Sequence, residues 1–253
     1  MIATETLPGL YRQTKPERLD RIEIPLGWVR SVEFLRPFAS NLTMLLGTSG
    51  TGRDTLLDAI RALDPAYDRV MRTTTRPYRN PDEDARIISI DENKFMQGVL
   101  ANRIVCPFLY PANAQRYGIP IEELSKLQKG TVLLEGTSEL IPLKTLLPQA
   151  WLFVIVPESL AQLRSQLNGR DGTQNPETKG RIRQATRELT ILLSRLPSLV
   201  SDRIVDGVII NSPPIETAAA QALQQIQGQT KQTSIPSQLA EDIKSYLSLW
   251  RSS

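Results

Sequence analysis

The chain has 253 residues, 40% of them hydrophobic and 23% charged, and a net charge of +3. It can bury a sizeable core, and its charge alone does not argue for nucleic-acid or membrane binding. With no histidine and a single cysteine, Cys106, it has no Ser-His-Asp or Cys-His nucleophile pair, no His-ligated zinc, no multi-cysteine metal site and no internal disulfide; acid–base work falls to carboxylates, Lys or Tyr.

Residues 1–40 mix charge, proline and aromatics, with short strands expected at 21–24 and 32–35. The start, MIATETLPGLYRQTKPERL, carries acids and prolines where a leader peptide needs an apolar block, and no hydrophobic run approaches the roughly 20 residues of a membrane span. The expectation is a cytoplasmic protein without membrane insertion. From residue 41 apolar runs at 42–46, 131–134, 151–156 and 207–210 alternate with helical segments at 53–63, 91–100, 121–128, 158–167, 177–196 and 215–227. Continuous apolar strands separated by helices predict an α/β fold with a parallel sheet covered on both faces. Residues 228–236 read as a polar linker. Beyond it Leu239, Ile243, Leu247 and Trp250 form the stripe of an amphipathic helix over 237–250. That stripe can pack on its own domain or dock on a protein partner.

The strongest chemical signal is LTMLLGTSGTGRDTLLDAIRAL, a strand, a glycine-rich turn and a helix. Such a turn curls so that its N–H groups face an anion, and the helix N-terminus adds partial positive charge. Gly47, Ser49, Gly50, Thr51, Gly52, Arg53, Asp54 and Thr55 are therefore the expected phosphate cradle. The usual spelling of this loop ends Gly-Lys-Ser/Thr. Here Arg53 supplies the charge as a planar fork, and Asp54 or Thr55 supplies an oxygen for Mg²⁺.

These residues, with others in order behind them, resemble the guanylate-kinase-like branch of the P-loop nucleoside monophosphate kinases. GTSGTGRDTLL is similar to the family's GPSGxGKSTLL, TTRPYR at 74–79 to its TTRxxR, RYG at 116–118 to its YYG, and VIIN at 208–211 to its last strand. The resemblance spans residues 41–227, between an extension at 1–40 and the linker and helix at 228–253. It implies a three-layer αβα fold with a mainly parallel central sheet and an arginine-bearing lid. It also implies ATP and Mg²⁺ as cofactors and a small phosphorylated substrate held by Arg76, Arg79 and Tyr117. Arg53, Arg170 and Arg181 would surround the transferred phosphoryl, with Glu135 near the Mg²⁺ water or the acceptor. The residues agree with such chemistry: 164–188 carry six Lys/Arg against three acids, and phosphoryl transfer needs positive charge around the moving group and little else. Asn211 has three readings: a cap, a contact to adenine, and a turn before Pro213–Pro214.

The sequence departs from guanylate kinases where the resemblance places the guanine readers. Cys106, Ile119 and Thr137 stand in those places, and Ala85 where a tyrosine is expected. The ribose 1,5-bisphosphate phosphokinases, whose loop reads GKDS, are the nearer match; Asp54 then fits and Arg53 alone departs. The rival expectation is a catalytically degenerate member that serves as a nucleotide- or protein-binding regulatory or scaffold module. No nucleic-acid-binding motif is present.

Overall fold

The structure is a computed structural model, and it describes residues 11–12, 24–78, 85–110, 113–171 and 176–251. The side chains of 11–12, 170–171, 176–177 and 249–251 fall outside that description, as do Arg79 and most of the strand expected at 21–24. The chain forms two compact units. The first is Met1–Leu42, Asp68–Leu134 and Glu139–Ala150; the second is Thr43–Tyr67, Glu135–Ser138 and Trp151–Ser253.

The second unit is built on parallel strands β2 (Leu42–Leu46), β9 (Trp151–Val156) and β10 (Gly207–Ile210), with β9 between the other two. All five residues of β2 and five of the six in β9 are buried. That is why both read as unbroken apolar runs rather than as alternation. Helix α2 (Arg53–Leu63) buries Leu56, Leu57 and Ile60 on one face, with Asp54 in its first turn and Arg61 in its last, each matched to the helix dipole. It packs with α8 (Ile215–Ile226), whose buried face is mostly alanine: Ala218, Ala219 and Ala222. Helices α6 (Leu160–Asp171), α7 (Pro176–Ser201) and α9 (Ser237–Arg251) complete the unit.

In the first unit a five-stranded sheet runs β1 (Tyr11–Arg12), β6 (Ile104–Tyr110), β7 (Gln115–Pro120), β4 (Arg72–Thr74) and β5 (Ile87–Ser89) in spatial order. Strands β6 and β7 are antiparallel, with a bulge between Val105 and Phe108. Strand β3 (Asp68–Arg69) pairs in parallel with β8 (Val132–Gly136), which carries the chain into the second unit at Glu135. Helix α3 (Glu92–Leu100) is capped by Asp91, whose carboxylate accepts from the Lys94 N–H at 2.8 Å. Its Phe95 and Val99 pack with Ile104. A Cβ on Gly98 or Gly118 would lie 2.6 or 2.4 Å from Ile104, so both glycines are packing requirements of that cluster. Two short helices, α4 (Ile121–Leu124) and α5 (Leu140–Leu146), flank β8 in the chain.

The strand expected at 32–35 is not there: α1 (Leu26–Val32) runs into a 3₁₀ helix at Glu33–Asn41. Trp28, Val32, Leu35 and Ala39 are all buried, and their spacing of four, three and four is that of a helical face. The α/β class with a mainly parallel central sheet is the one found. Among the described residues, no helix is long and apolar enough to cross a membrane.

Candidate active site

The glycine-rich turn follows β2 directly. The Gly47 N–H donates to the Gly136 carbonyl at 3.1 Å, and the Thr51 hydroxyl and N–H both donate to the Thr48 carbonyl, at 2.9 and 3.3 Å. Gly50 and Gly52 sit at φ +82° and +73°, backbone open to glycine at no steric cost. A Cβ on Gly47 would meet the Thr51 hydroxyl at 2.5 Å. Gly52 is the N-cap of α2 and, having no side chain, leaves the first-turn N–H groups without the usual capping oxygen. Those donors are then available to an anion. Among the described residues the buried Thr48 hydroxyl has no hydrogen-bond partner, so the loop also holds an unused polar group of its own.

Two supports hold the loop from within the same unit. Leu163 and Leu167 of α6 press on Gly50, where a Cβ would lie 2.6 Å from Leu167 Cγ. From the end of β10, the buried Asn211 amide donates to the Thr51 carbonyl at 2.8 Å, and Gln162 of α6 donates to the Asn211 carbonyl at 2.9 Å. The Asn211 amide is thus used by the loop backbone. Nothing short of the fold brings residues 51 and 211 together.

Arg53 lies with its Cγ and Cδ alongside Gly47, and its Nη1 is 3.4 Å from Glu135 Oε2. Glu135 is 3% exposed, so it is not a solvated acid at the end of its strand. Ser49 and Asp54 are half-buried and Thr55 is exposed. Among the described residues no group of three or more His, Cys, Asp or Glu is placed to hold a metal ion. Mg²⁺ ordinarily takes one or two protein groups and completes its shell with substrate phosphates and water, and Asp54 with Thr55 is a set of that size. The glycine cradle, the uncapped helix start, the unused Thr48 hydroxyl and the cation at Arg53 together fit a magnesium–nucleotide polyphosphate.

A separate cluster occupies the first unit. Arg72 Nη1 donates to Glu139 Oε1 at 3.1 Å, both side chains being buried, and the guanidinium stands 5.7 Å from the centroid of the Tyr117 ring. Tyr117 stacks on Phe108 at 5.4 Å and meets Tyr110 edge-on at 6.3 Å, while its hydroxyl accepts from Asn113 at 3.1 Å. This tyrosine is half-buried in an aromatic stack with its polar end hydrogen-bonded. Beside it Thr74 donates to the Arg116 carbonyl at 2.8 Å and accepts from the Arg76 N–H at 3.1 Å. Arg76 Nη1 donates to the Pro77 carbonyl at 2.9 Å. Cys106 sits in the bulge at φ +51°, buried. Burial pushes its thiol well above the ordinary range, and the charge of Glu139 adds to the shift.

The expected site residues therefore fall in two groups: the loop, Arg53 and Glu135 in the second unit, and Arg76 and Tyr117 in the first. Arg181 lies half-buried on α7, and Arg170 is in the last turn of α6 with its side chain outside the described set. Sequence reasoning missed three participants. Glu139 lies in a segment with no period, and neither Arg72 nor the Leu163/Leu167 face of α6 carries a local signal that ties it to the site.

No protein-family model matches the chain. Curated relatives do. A guanylate kinase of Frankia casuarinae is 31% identical over 185 residues, which is 71% of this chain and 92% of that protein. One from Thermobifida fusca is 32% identical over 150 residues, covering 58% and 75%. A third, from Gloeobacter violaceus, is 31% identical over 174 residues, covering 67% and 83%. Among solved structures, the crystal structure of guanylate kinase from Anaplasma phagocytophilum superposes with a TM-score of 0.52 at 18% identity, over 74% of this chain and 85% of that one, a likeness of fold. With a colinear relative above 30% identity matched over nearly its whole length, this chain belongs to the guanylate kinase family.

Proposed function

We propose that this protein is an ATP- and Mg²⁺-dependent phosphotransferase that acts in the cytoplasm on a small phosphorylated acceptor other than GMP, with ribose 1,5-bisphosphate as the leading candidate and phosphoribosyl pyrophosphate as its product. The observation that carries this reading is the chemistry at the places where the family reads guanine. Cys106 and Ile119 are 1% and 0% exposed and Thr137 is 9% exposed. A protonated thiol is a weak acceptor and an aliphatic side chain is none, so Cys106 and Ile119 offer little to the N–H donors of guanine, and the Thr137 hydroxyl meets them without the charge of a carboxylate. Losing such contacts costs orders of magnitude in discrimination. A sugar phosphate needs arginines for its phosphates and no base pocket, and Arg76, Arg79 and Tyr117 remain.

On this reading the turn Gly47, Ser49, Gly50, Thr51 and Gly52 cradles the nucleotide phosphates through backbone N–H groups. Arg53 clamps them, Asp54 and Thr55 take Mg²⁺, and Glu135 steadies the Arg53 fork. ATP supplies the phosphoryl group when bound. An oxygen of the acceptor's 1-phosphate forms the new P–O bond as the bond to ADP breaks. Arg170 and Arg181 offset the charge of the moving group.

A second reading has one observation of its own. Arg53 is already matched by a buried carboxylate, which favours a catalytically degenerate nucleotide- or protein-binding module. ³¹P NMR of the protein with Mg·ATP and, in turn, ribose 1,5-bisphosphate, GMP, AMP or buffer separates the two. Phosphoribosyl pyrophosphate formed only with the sugar bisphosphate is the expected result. Turnover of GMP overturns the acceptor assignment, and nucleotide binding without turnover of any acceptor selects the second reading.

A further inference from the structure

The helix beyond the linker does more than cover apolar surface. Leu239 and Ile243 of α9 are 0% and 7% exposed and Leu247 is half-buried, so these three residues of the stripe pack on their own chain. From the same helix Asp242 reaches the start of α6, where its Oδ2 accepts from the Leu160 N–H at 2.8 Å. Its other oxygen, Oδ1, accepts from Gln238 at 2.9 Å. A carboxylate at a helix start satisfies a donor that the helix itself cannot and lies at the favourable end of its dipole. Ser159 takes the next task, its hydroxyl accepting from the Gln162 N–H at 3.1 Å.

What α6 does next gives this cap a consequence. Two residues past Leu160, Gln162 donates to the Asn211 carbonyl, and the Asn211 amide holds the Thr51 carbonyl. One and two turns on, Leu163 and Leu167 bear on Gly50. The contacts run unbroken from Asp242 through the first two turns of α6 to the two residues, Gly50 and Thr51, that shape the phosphate cradle. A helix end fixed from outside sets the position of everything it carries, because a packed helix moves as a unit.

We propose that α9 is a built-in brace for the phosphate loop and that Asp242 is its positioning residue, setting the loop through α6 without touching the ligand. The nucleotide part of this inference rests on the proposed function; the brace itself does not. The test is hydrogen–deuterium exchange of the full chain, without nucleotide, followed on peptides covering 47–56. Asp242→Ala is expected to speed exchange there by about threefold or more, because loop opening no longer works against a fixed α6. Asp242→Asn keeps an oxygen for the Leu160 N–H and should restore exchange close to wild type, a rescue that loss of general stability would not produce. Ile243→Ala, which loosens the same helix while keeping Asp242, gives the same rise and serves if the first variant fails to fold. Unchanged exchange at 47–56 in either folded variant, with faster exchange confined to α6 and α9, overturns the proposal.

Affinity for a fluorescent N-methylanthraniloyl-ATP adds the nucleotide arm. Asp242→Ala is expected to weaken it roughly 3- to 10-fold, with Asp242→Asn equal to wild type. Equal affinity in Asp242→Ala would overturn the functional consequence of the brace. A wild-type chain that does not bind this probe removes the nucleotide reading and leaves the exchange result to decide on the brace.

Discussion

Each unit holds a buried arginine–glutamate pair, and the two are made differently. Arg72 and Glu139 share a hydrogen bond of 3.1 Å, with 10% and 2% of their side chains exposed, and the guanidinium also faces the Tyr117 ring. Arg53 and Glu135 stand 3.4 Å apart with 13% and 4% exposed, and neither Arg53 Nη1 nor Glu135 Oε2 meets hydrogen-bond geometry in that contact. The first pair is committed to architecture. The second is the looser contact, which suits a guanidinium that keeps an edge for an incoming phosphate. Burial by itself therefore does not separate a structural ion pair from a chemical one; the state of the hydrogen bond does.

The largest effect expected from this contrast is on stability in the first unit. Arg72→Ala strips Glu139 of its bonded cation in a dry setting, where breaking one partner of such a pair costs about 3–5 kcal/mol. Arg53→Ala removes a looser contact that water partly reaches, and roughly 1–2 kcal/mol is the scale for it. Urea unfolding of the two variants gives the order directly. An equal or larger loss in Arg53→Ala breaks the comparison. Nucleotide affinity should run the other way, unchanged in Arg72→Ala and at least about a hundredfold weaker in Arg53→Ala, the difference between a charge-assisted phosphate contact and none.

Arg53→Lys sharpens the same point. An ammonium restores the charge as a compact point and loses the fork, so turnover is expected to be unchanged or raised if the site needs charge alone. A drop of about a hundredfold, close to 3 kcal/mol in the barrier, would mean that Glu135 and the bidentate geometry are built into this loop together.

How legible the two units were follows from how local their information is. The cradle is nine consecutive residues between a wholly buried strand and an amphipathic helix, and β2, α2, β9 and β10 lie where the residue pattern puts them. In the first unit β3, β4 and β5 are two or three residues long, too short for any period to show. Helix α5 is buried on nearly every side and contains Pro142, so it has no polar face to announce it. Arg72 and Glu139 meet across 67 residues, and Asn211 reaches Thr51 across 160. Such partners become visible only once the sheets have formed. The places of the guanine readers are assigned by the family resemblance alone, and the structure adds that Cys106, Ile119 and Thr137 are buried.

A smaller effect tests the support of the cradle. Gly50→Ala places a β-carbon where φ is +82° and where Leu167 Cγ would be 2.6 Å away. Strain of the backbone and crowding of a packed side chain each cost of order 1–3 kcal/mol. Combining it with Leu167→Ala relieves the crowding and not the backbone strain. A double-mutant cycle by thermal unfolding should therefore return a favourable coupling smaller than the whole cost of Gly50→Ala. Strict additivity would mean that α6 does not bear on the loop.

The smallest effect lies at the surface of the first unit and fixes how little a solvent-exposed charge does there. Asp91 caps α3, and its carboxyl is held below its ordinary value of 3.8 chiefly by the Lys94 N–H. A folded value lower than the unfolded one means that the cap contributes fully above the unfolded value and is lost as pH falls through the folded one. The melting temperature of wild type should therefore exceed that of Asp91→Ala by a constant margin between pH 7 and about 5, and the margin should narrow at lower pH toward that of an uncharged acceptor. Asp91→Asn, which keeps an acceptor and has no charge to titrate, should show a margin over Asp91→Ala that does not vary with pH. If the aspartate margin also stays flat through the acid range, the carboxylate acts as a neutral acceptor would. The distinction drawn above between charge and hydrogen bonding would then fail at its simplest case.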